Sequence, residues 1–136
     1  MISHGSMYIP DLHDARVVAV GQATEGSIEI QLENIVSYSL IASAPKEKYE
    51  VNSWRGSLRF FDVQALAVPD DLDSSGPVMD TRLSPPTDLA AFLERRALGV
   101  LEVTFQSGKI LEVRSEEAWL ELVSPPKFLE HWHGPL

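Results

Sequence analysis

The stretch Gly99–Val123, with the sequence GVLEVTFQSGKILEVRSEEAWLELV, decides the fold, because apolar and polar residues alternate along it with a period of two. In a β-strand, successive side chains point to opposite faces, so Leu101, Val103 and Phe105 share one face. The polar residues between them share the other face. The pattern therefore predicts half-buried antiparallel strands with one dry face and one solvated face.

The register of the first hairpin follows from the need to keep one face apolar. Leu111 must lie opposite Val103, and Val113 must lie opposite Leu101. A two-residue turn would instead set an apolar side chain against a glutamate. A three-residue loop, Gln106–Gly108, gives the required pairing and leaves its glycine at the position that needs a left-handed backbone. We therefore predict a three-residue bulged hairpin.

A third alternating segment follows the polar residues Ser115–Glu117. Its inward residues are expected to be Ala118, Leu120 and Leu122, with Trp119 and Glu121 pointing outward. Because a polar stretch separates it from the hairpin, the pattern predicts a C-terminal three-stranded meander.

The outer face of this sheet carries the candidate binding residues: Glu102, Glu112, Trp119 and Glu121. The predicted register places Glu102 directly opposite Glu112, a like-charge pair that is mildly destabilising. Either both side chains extend into water at little cost, or the glutamates and the tryptophan form an acidic patch for a basic partner. Both interpretations stay open.

The composition narrows the class of protein. The chain has 136 residues, a net charge of −9 and no cysteine. This length fits a single domain, which we place at residues 7–136, with residues 1–6 interpreted as a cloning remnant before Met7. The lack of cysteine excludes disulfides and thiolate zinc sites. The negative charge argues against nucleic acid and membrane partners, and we expect a cytoplasmic protein.

The rest of the chain predicts further strands and one helix. Pro69–Pro86 is rich in proline and aspartate and is interpreted as the principal loop. Asp88 is expected to cap an α-helix near residues 88–98, which ends at Gly99. Lys127–Trp132 is expected to be a short helical or turn-like tail. The predicted strands are Arg16–Gly21, Ser27–Glu33, Ile35–Ala42, Tyr49–Trp54 and Ser57–Val68. The predicted fold class is thus α+β, mainly antiparallel sheet, arranged as a sandwich or a curved barrel-like sheet.

Three short motifs contain groups that could bind a metal ion or act as a general base. Asp71–Gly76 resembles the first half of a calcium loop, but the closing carboxylate is replaced by Arg82. His131 and His133 lack further zinc ligands that can be placed. His13 lies between acidic residues but has no assignable nucleophile beside it. We therefore predict no cofactor, no metal and no catalytic residues.

Short motifs at the two ends of the chain resemble small bacterial β-rich proteins of unknown function, some of which are regarded as immunity proteins that neutralise polymorphic toxins. The residues that carry the resemblance are Leu12–Ala15, Val103–Gly108, Ala118–Leu122 and Phe128–Trp132. The resemblance implies a non-enzymatic binder and gives no catalytic residues to carry over.

The leading functional hypothesis is a small protein-binding domain of the immunity type that presents an acidic sheet face to a basic partner. The alternative is a ligand-binding or enzymatic β-barrel with an internal pocket, whose mouth would carry His13, Asp14 or the Trp54–Arg55 segment. A third reading is a homodimer that buries an apolar sheet face. The sequence favours a non-enzymatic protein over an enzyme.

Overall fold

The computed structural model describes residues 7–22, 26–72 and 74–134, and the predicted cloning remnant at residues 1–6 lies outside them. The described residues form seven strands and one short 3-10 helix, Leu89–Leu93. The strands are β1 (Met7–Asp11), β2 (Arg16–Gly21), β3 (Ile28–Ala42), β4 (Lys48–Ala67), β5 (Val78–Ser84), β6 (Arg96–Phe105) and β7 (Ile110–His133).

All seven strands belong to one antiparallel sheet with the order β1-β3-β4-β7-β6-β5, in which β2 also pairs with β3. The sheet curls into a half-barrel. Its two edges meet at Val78 of β5, whose carbonyl accepts a hydrogen bond from the Asp14 amide and whose amide donates to the Ala15 carbonyl, both at 2.8 Å. The prediction of a mainly antiparallel sheet is confirmed.

The hairpin between β6 and β7 has the predicted register. Val103 lies opposite Leu111, Leu101 lies opposite Val113, and Glu102 lies opposite Glu112. The Gly108 amide donates to the Phe105 carbonyl at 2.9 Å, and Gly108 has a φ of 90°. The three-residue loop and its left-handed glycine are therefore confirmed.

The predicted α+β class is wrong, because the described chain is 69% strand and 4% helical with no helix of seven or more residues. The predicted α-helix near residues 88–98 is only the 3-10 helix. Asp88 is extended and its side chain makes no capping hydrogen bond, so nothing fixes the first turn. The strand β6 begins already at Arg96, where pairing with β7 takes up the last three residues of the predicted helix.

The predicted three-stranded meander is also wrong, because β7 runs without a turn from Ile110 to His133. Every second residue of β7 is buried up to Ser115 and again from Ala118 to Leu120. Ser115 and Ala118 themselves are three positions apart, so the alternation changes phase between them. That change of phase gave the appearance of a turn in the sequence. In the structure it is a bend within one strand.

Neighbouring strands share this bend. On β6 the buried residues Leu98 and Leu101 are also three apart, and between them Gly99 has a φ of 134°. On β4 the change of phase falls after Phe60, where Asp62 has a φ of 54°. Phe60 lies opposite Ala118, and Gly99 lies opposite Ser115. The bends thus form one line across three strands, and we call it the bend line.

Several predicted breaks are absent from the structure. β3 runs through Asn34, which has a φ of 59° and forms part of a bulge between Leu32 and Ile35. β4 runs through Arg55–Gly56 without a turn. The predicted loop Pro69–Pro86 contains β5, and the predicted tail Lys127–Trp132 lies within β7. Partner strands supply backbone hydrogen bonds that override the local breaking signals.

The core lies inside the curl. Phe60, Leu111 and Val113 are completely buried, and Phe105 and Leu120 are at most 2% exposed. The predicted row on β3 is confirmed for Ile30 and Leu32, while Ile28 is partly buried. The remaining core side chains are Leu12, Ala15, Ile35, Trp54, Leu58, Val78, Phe92, Leu98, Leu101, Val103 and Ala118.

We predict that Gly99→Ala destabilises the protein by about 2–4 kcal/mol, because its backbone conformation is strained for an L-residue. A Cβ at this position would also lie 2.3 Å from the Ser84 carbonyl oxygen. Chemical denaturation measures the change. Gly21→Ala is the matched control, since a Cβ there meets nothing within 4 Å, and it should change stability by less than about 0.5 kcal/mol. Equal effects of the two substitutions would refute the strained bend.

We also predict unequal effects for two adjacent phenylalanines. Phe60→Ala should cost about 3–5 kcal/mol because it leaves a cavity in the core. Phe61→Ala should cost about 1 kcal/mol, because its ring lies on the outer face and is only partly buried. Thermal unfolding of both variants checks the register of β4, and a larger loss for Phe61→Ala would show that the assigned faces are reversed.

Candidate protein-binding face

The structure divides the four predicted binding residues into two groups. Glu102 and Glu112 lie opposite each other on one side of the bend line, and Trp119 and Glu121 lie on the other side. Glu112 and Glu121 are nine positions apart on β7, which spans at most about 30 Å of strand. Because the strand also bends between them, the two groups do not form one continuous patch.

The pair Glu102 and Glu112 lies among arginines. Arg82 of β5 is the direct cross-strand partner of Glu102, and Arg114 follows two residues after Glu112 on the same face. Opposite charges at neighbouring cross-strand positions offset the repulsion between the two carboxylates. This group is therefore less acidic than the sequence suggested.

The second group is built around Arg59, which the sequence analysis did not single out. Arg59 lies opposite Trp119 on β7 and opposite Glu29 on β3. Its guanidinium carbon is 5.5 Å from the centre of the Trp119 ring. Its Nε donates to Glu29 Oε2 at 3.0 Å, and its Nη2 is 3.7 Å from Glu121 Oε1. Three neighbours thus fix the position of one guanidinium group.

A similar arrangement lies one step further along the same face. The Arg95 guanidinium carbon is 3.8 Å from the centre of the Phe61 ring, and Arg95 Nε donates to the Glu117 carboxylate. Phe61 lies opposite Glu117 on β7 and follows Arg59 by two positions on β4. We call the two sets together the arginine–aromatic stripe. Its members are Arg59, Phe61, Arg95 and Trp119, with Glu29, Glu117 and Glu121.

The strand geometry explains why these side chains meet. In β4 the buried residues Leu58 and Phe60 point inward, so Arg59 and Phe61 point outward. In β7 the same alternation sends Trp119 outward between two buried residues. The sequence signal for the stripe was the pair Phe60–Phe61, because two consecutive phenylalanines in a regular strand must point to opposite faces.

The stripe is partly exposed and internally charge-paired. The side chains of Arg59 and Glu121 are 35% and 42% exposed, whereas that of Glu29 is 19% exposed. A guanidinium over an aromatic ring contributes about 0.5–1 kcal/mol at an exposed site. Three glutamates accompany two arginines, so the stripe keeps a net negative charge. It forms a surface on which aromatic rings and charged groups are held in place by their neighbours.

The histidine near the sheet closure occupies an exposed position. A 3.0 Å hydrogen bond joins His13 Nδ1 to the Met79 carbonyl oxygen, which accepts it. His13 Nε2 is 3.8 Å from Asp14 Oδ1, and their side chains are 52% and 62% exposed. Because these residues lie where the two sheet edges meet, their contacts connect β5 to the segment between β1 and β2.

The metal-like motifs lie apart from the stripe. His131 packs against Phe128 with ring centres 5.1 Å apart. A hydrogen bond from the Ser74 side chain lowers the pKa of Asp71, and the Asp71 carbonyl accepts a 2.9 Å bond from Ser75 Oγ. Asp73 of the calcium-like motif lies outside the described residues. Within residues 7–22, 26–72 and 74–134, no group of three or more potential metal ligands comes together.

Comparison with known proteins gives no relative: no protein-family model, no curated protein and no solved structure matches the chain. Within residues 7–22, 26–72 and 74–134, no helix is long and apolar enough to cross a membrane.

We predict that Arg59 is coupled more strongly to Glu29 than to Glu121. The Glu29 pair is shorter and its carboxylate is less exposed, so water screens it less. Double-mutant cycles with Arg59→Gln, Glu29→Gln and Glu121→Gln should give coupling energies of about 1 kcal/mol and about 0.3 kcal/mol respectively. The reverse order would contradict the assigned geometry of the stripe.

Proposed function

We propose that the protein is a non-enzymatic protein-binding domain, of the immunity type, that recognises a basic protein through the arginine–aromatic stripe. The observation that carries the proposal is the paired arrangement on the outer face. An arginine guanidinium lies over each of two aromatic rings, and each arginine forms an ion pair with a glutamate.

The residue types of the stripe support protein binding. Aromatic residues and arginine are enriched at the centres of protein interfaces, and truncation of tryptophan or arginine there is most damaging. The glutamates hold Arg59 and Arg95 before any partner arrives, so less side-chain freedom is lost on association. A fixed and partly apolar surface of this kind suits recognition of a folded partner.

The charge of the protein supports a basic partner. The net charge is −9, and glutamates outnumber arginines within the stripe. Glu121 is the glutamate least tightly paired within the stripe, because its Oε1 lies 3.7 Å from Arg59 Nη2 and its side chain is 42% exposed. A lysine or arginine of the partner can therefore reach it. Complementary charge also speeds the encounter of the two proteins.

Two further points favour this class over an internal-pocket barrel. The motif Ala118–Leu122, one of those that carry the resemblance to small bacterial β-rich proteins, includes Trp119 and Glu121 of the stripe. The inside of the curl is occupied by Phe60, Phe105 and Leu111, which are at most 2% exposed. The outer face is therefore the surface on which recognition is proposed.

Affinity capture from extracts of the source organism tests the proposal. Trp119→Ala and Arg59→Gln should each weaken capture of the specific partner by about tenfold or more, as expected for central interface residues. Glu102→Gln combined with Glu112→Gln is the matched control, because it removes charge from the same sheet beyond the bend line. It should leave capture nearly unchanged.

Added salt provides a second readout of the same complex. If charge steers the encounter, raising the ionic strength should slow association more than it changes dissociation. Unchanged capture by both stripe variants would show that the stripe is not the binding surface. Loss of capture only in the Glu102 and Glu112 control would place the interface on the other side of the bend line.

A further inference from the structure

Among the residues that the structure describes, the last part of β7 is paired with a strand on one side only. β6 pairs with β7 as far as Ala118, which lies opposite Arg96, whereas β4 pairs with β7 as far as His133. In the described part of the chain, residues 127–133 therefore form a sheet edge. The backbone N–H and C=O groups on their side away from β4 have no described strand beside them. Such an edge is a template for pairing with another strand.

This free edge is unusually apolar. Phe128 is 52% exposed, Leu129 is 43% exposed and Trp132 is 45% exposed. Leu40 and Ile41, at the same end of the sheet, are 42% and 50% exposed. Single exposed apolar residues are ordinary, but a group of large ones at one end of a sheet marks an interaction surface.

A bulge on β7 places two opposite charges on one face of this edge. Lys127 lies opposite Ser53 and Glu130 lies opposite Val51, while the extra residue Leu129 has no counterpart on β4. Val51 and Ser53 are two apart on a regular stretch of β4, so they share a face. Lys127 and Glu130 therefore share that face although they are three residues apart.

We propose that two copies of the chain pair antiparallel through this edge, about a two-fold axis between Phe128 and Leu129. In this register Lys127 of one copy lies opposite Glu130 of the second copy, and Phe128 lies opposite Leu129. The symmetry repeats each contact, so two opposite-charge pairs flank a central apolar contact.

Other registers match less well. Pairing Glu130 with its own symmetry mate brings like charges together. Shifting the register by one residue toward the C-terminus sets Phe128 against Glu130 and leaves Lys127 against His131. Pro125 and Pro126 have no amide hydrogen, so they limit regular pairing to the residues after them. The register that pairs Lys127 with Glu130 is therefore the one that also places Phe128 opposite Leu129.

This inference is independent of the proposed function. The edge lies after Val123, and the stripe residues on β7 lie before it. A dimer formed in this way would leave the stripe uncovered and present it twice.

Sedimentation velocity over a concentration series tests the dimer. The unmodified protein should dimerise, and Lys127→Glu or Glu130→Lys should each weaken dimerisation by about tenfold or more because both symmetric pairs become repulsive. The double variant Lys127→Glu with Glu130→Lys should restore it. Lys46→Glu, in the exposed turn between β3 and β4, is the charge-matched control and should have no effect. Thermal unfolding of each variant verifies that it is folded.

A cross-linking experiment tests the register, because the chain has no cysteine of its own. Directly opposite residues in a β-pair lie within the range that a disulfide can bridge. A mixture of Lys127→Cys and Glu130→Cys proteins should form a cross-linked dimer on mild oxidation, and each variant alone should form much less.

Three outcomes would overturn the proposal: a monomer at every concentration, a dimer that ignores both charge reversals, or equal cross-linking of the separate variants. None of them changes capture of a partner by the stripe, so this failure is distinguishable from failure of the proposed function.

Discussion

The whole sheet depends on the antiparallel pairing of β4 with β7, which runs from Lys48 opposite His133 to Ala67 opposite Glu112. β3 pairs along the other side of β4, and β6 pairs along the other side of β7 for part of its length. Strands this long cannot stay flat, since each strand twists and the apolar side must close on itself. The bend line is where β4, β7 and β6 change direction together.

The bend line also determines how the surface is organised. It separates the Glu102 and Glu112 pair from Trp119 and Glu121, so one predicted acidic face becomes two surfaces with different neighbours. On one side the glutamates lie near Arg82 and Arg114. On the other side arginines cover aromatic rings, and glutamates hold those arginines in place. The function proposed for the protein rests on the second surface.

The local parts of the fold were predictable from the sequence, whereas the long-range parts were not. Alternation with a period of two gave the hairpin register and the left-handed Gly108, because both depend on residues close in the chain. The continuity of β7 through Ser115–Ala118 was not predicted, because a change of phase looks the same whether a strand bends or turns. The helix prediction failed for a related reason: Arg96–Phe105 gains a ladder of hydrogen bonds to β7 that no local propensity reveals.

The candidate site shows the same division. Trp119 and Glu121 were found from alternation alone, because they lie on the outward side of a clear pattern. Arg59 and Arg95 were missed because their roles come from pairing across strands and from the segment after the 3-10 helix. Their neighbours on β7 lie 60 and 22 positions away in the chain. Contacts at such separations depend on the register of the whole sheet.

One unbroken strand, β7, joins β4 and β6 through the bend line. Nuclear Overhauser effects between backbone protons test it most directly, because they report which residues lie opposite each other. If β7 is unbroken, cross-strand contacts of Phe61 with Glu117 and of Gly99 with Ser115 are expected in the same molecule. Contacts that instead pair residues 118–122 with residues 110–114 would show a turn at Ser115–Glu117, and β7 would then be two strands.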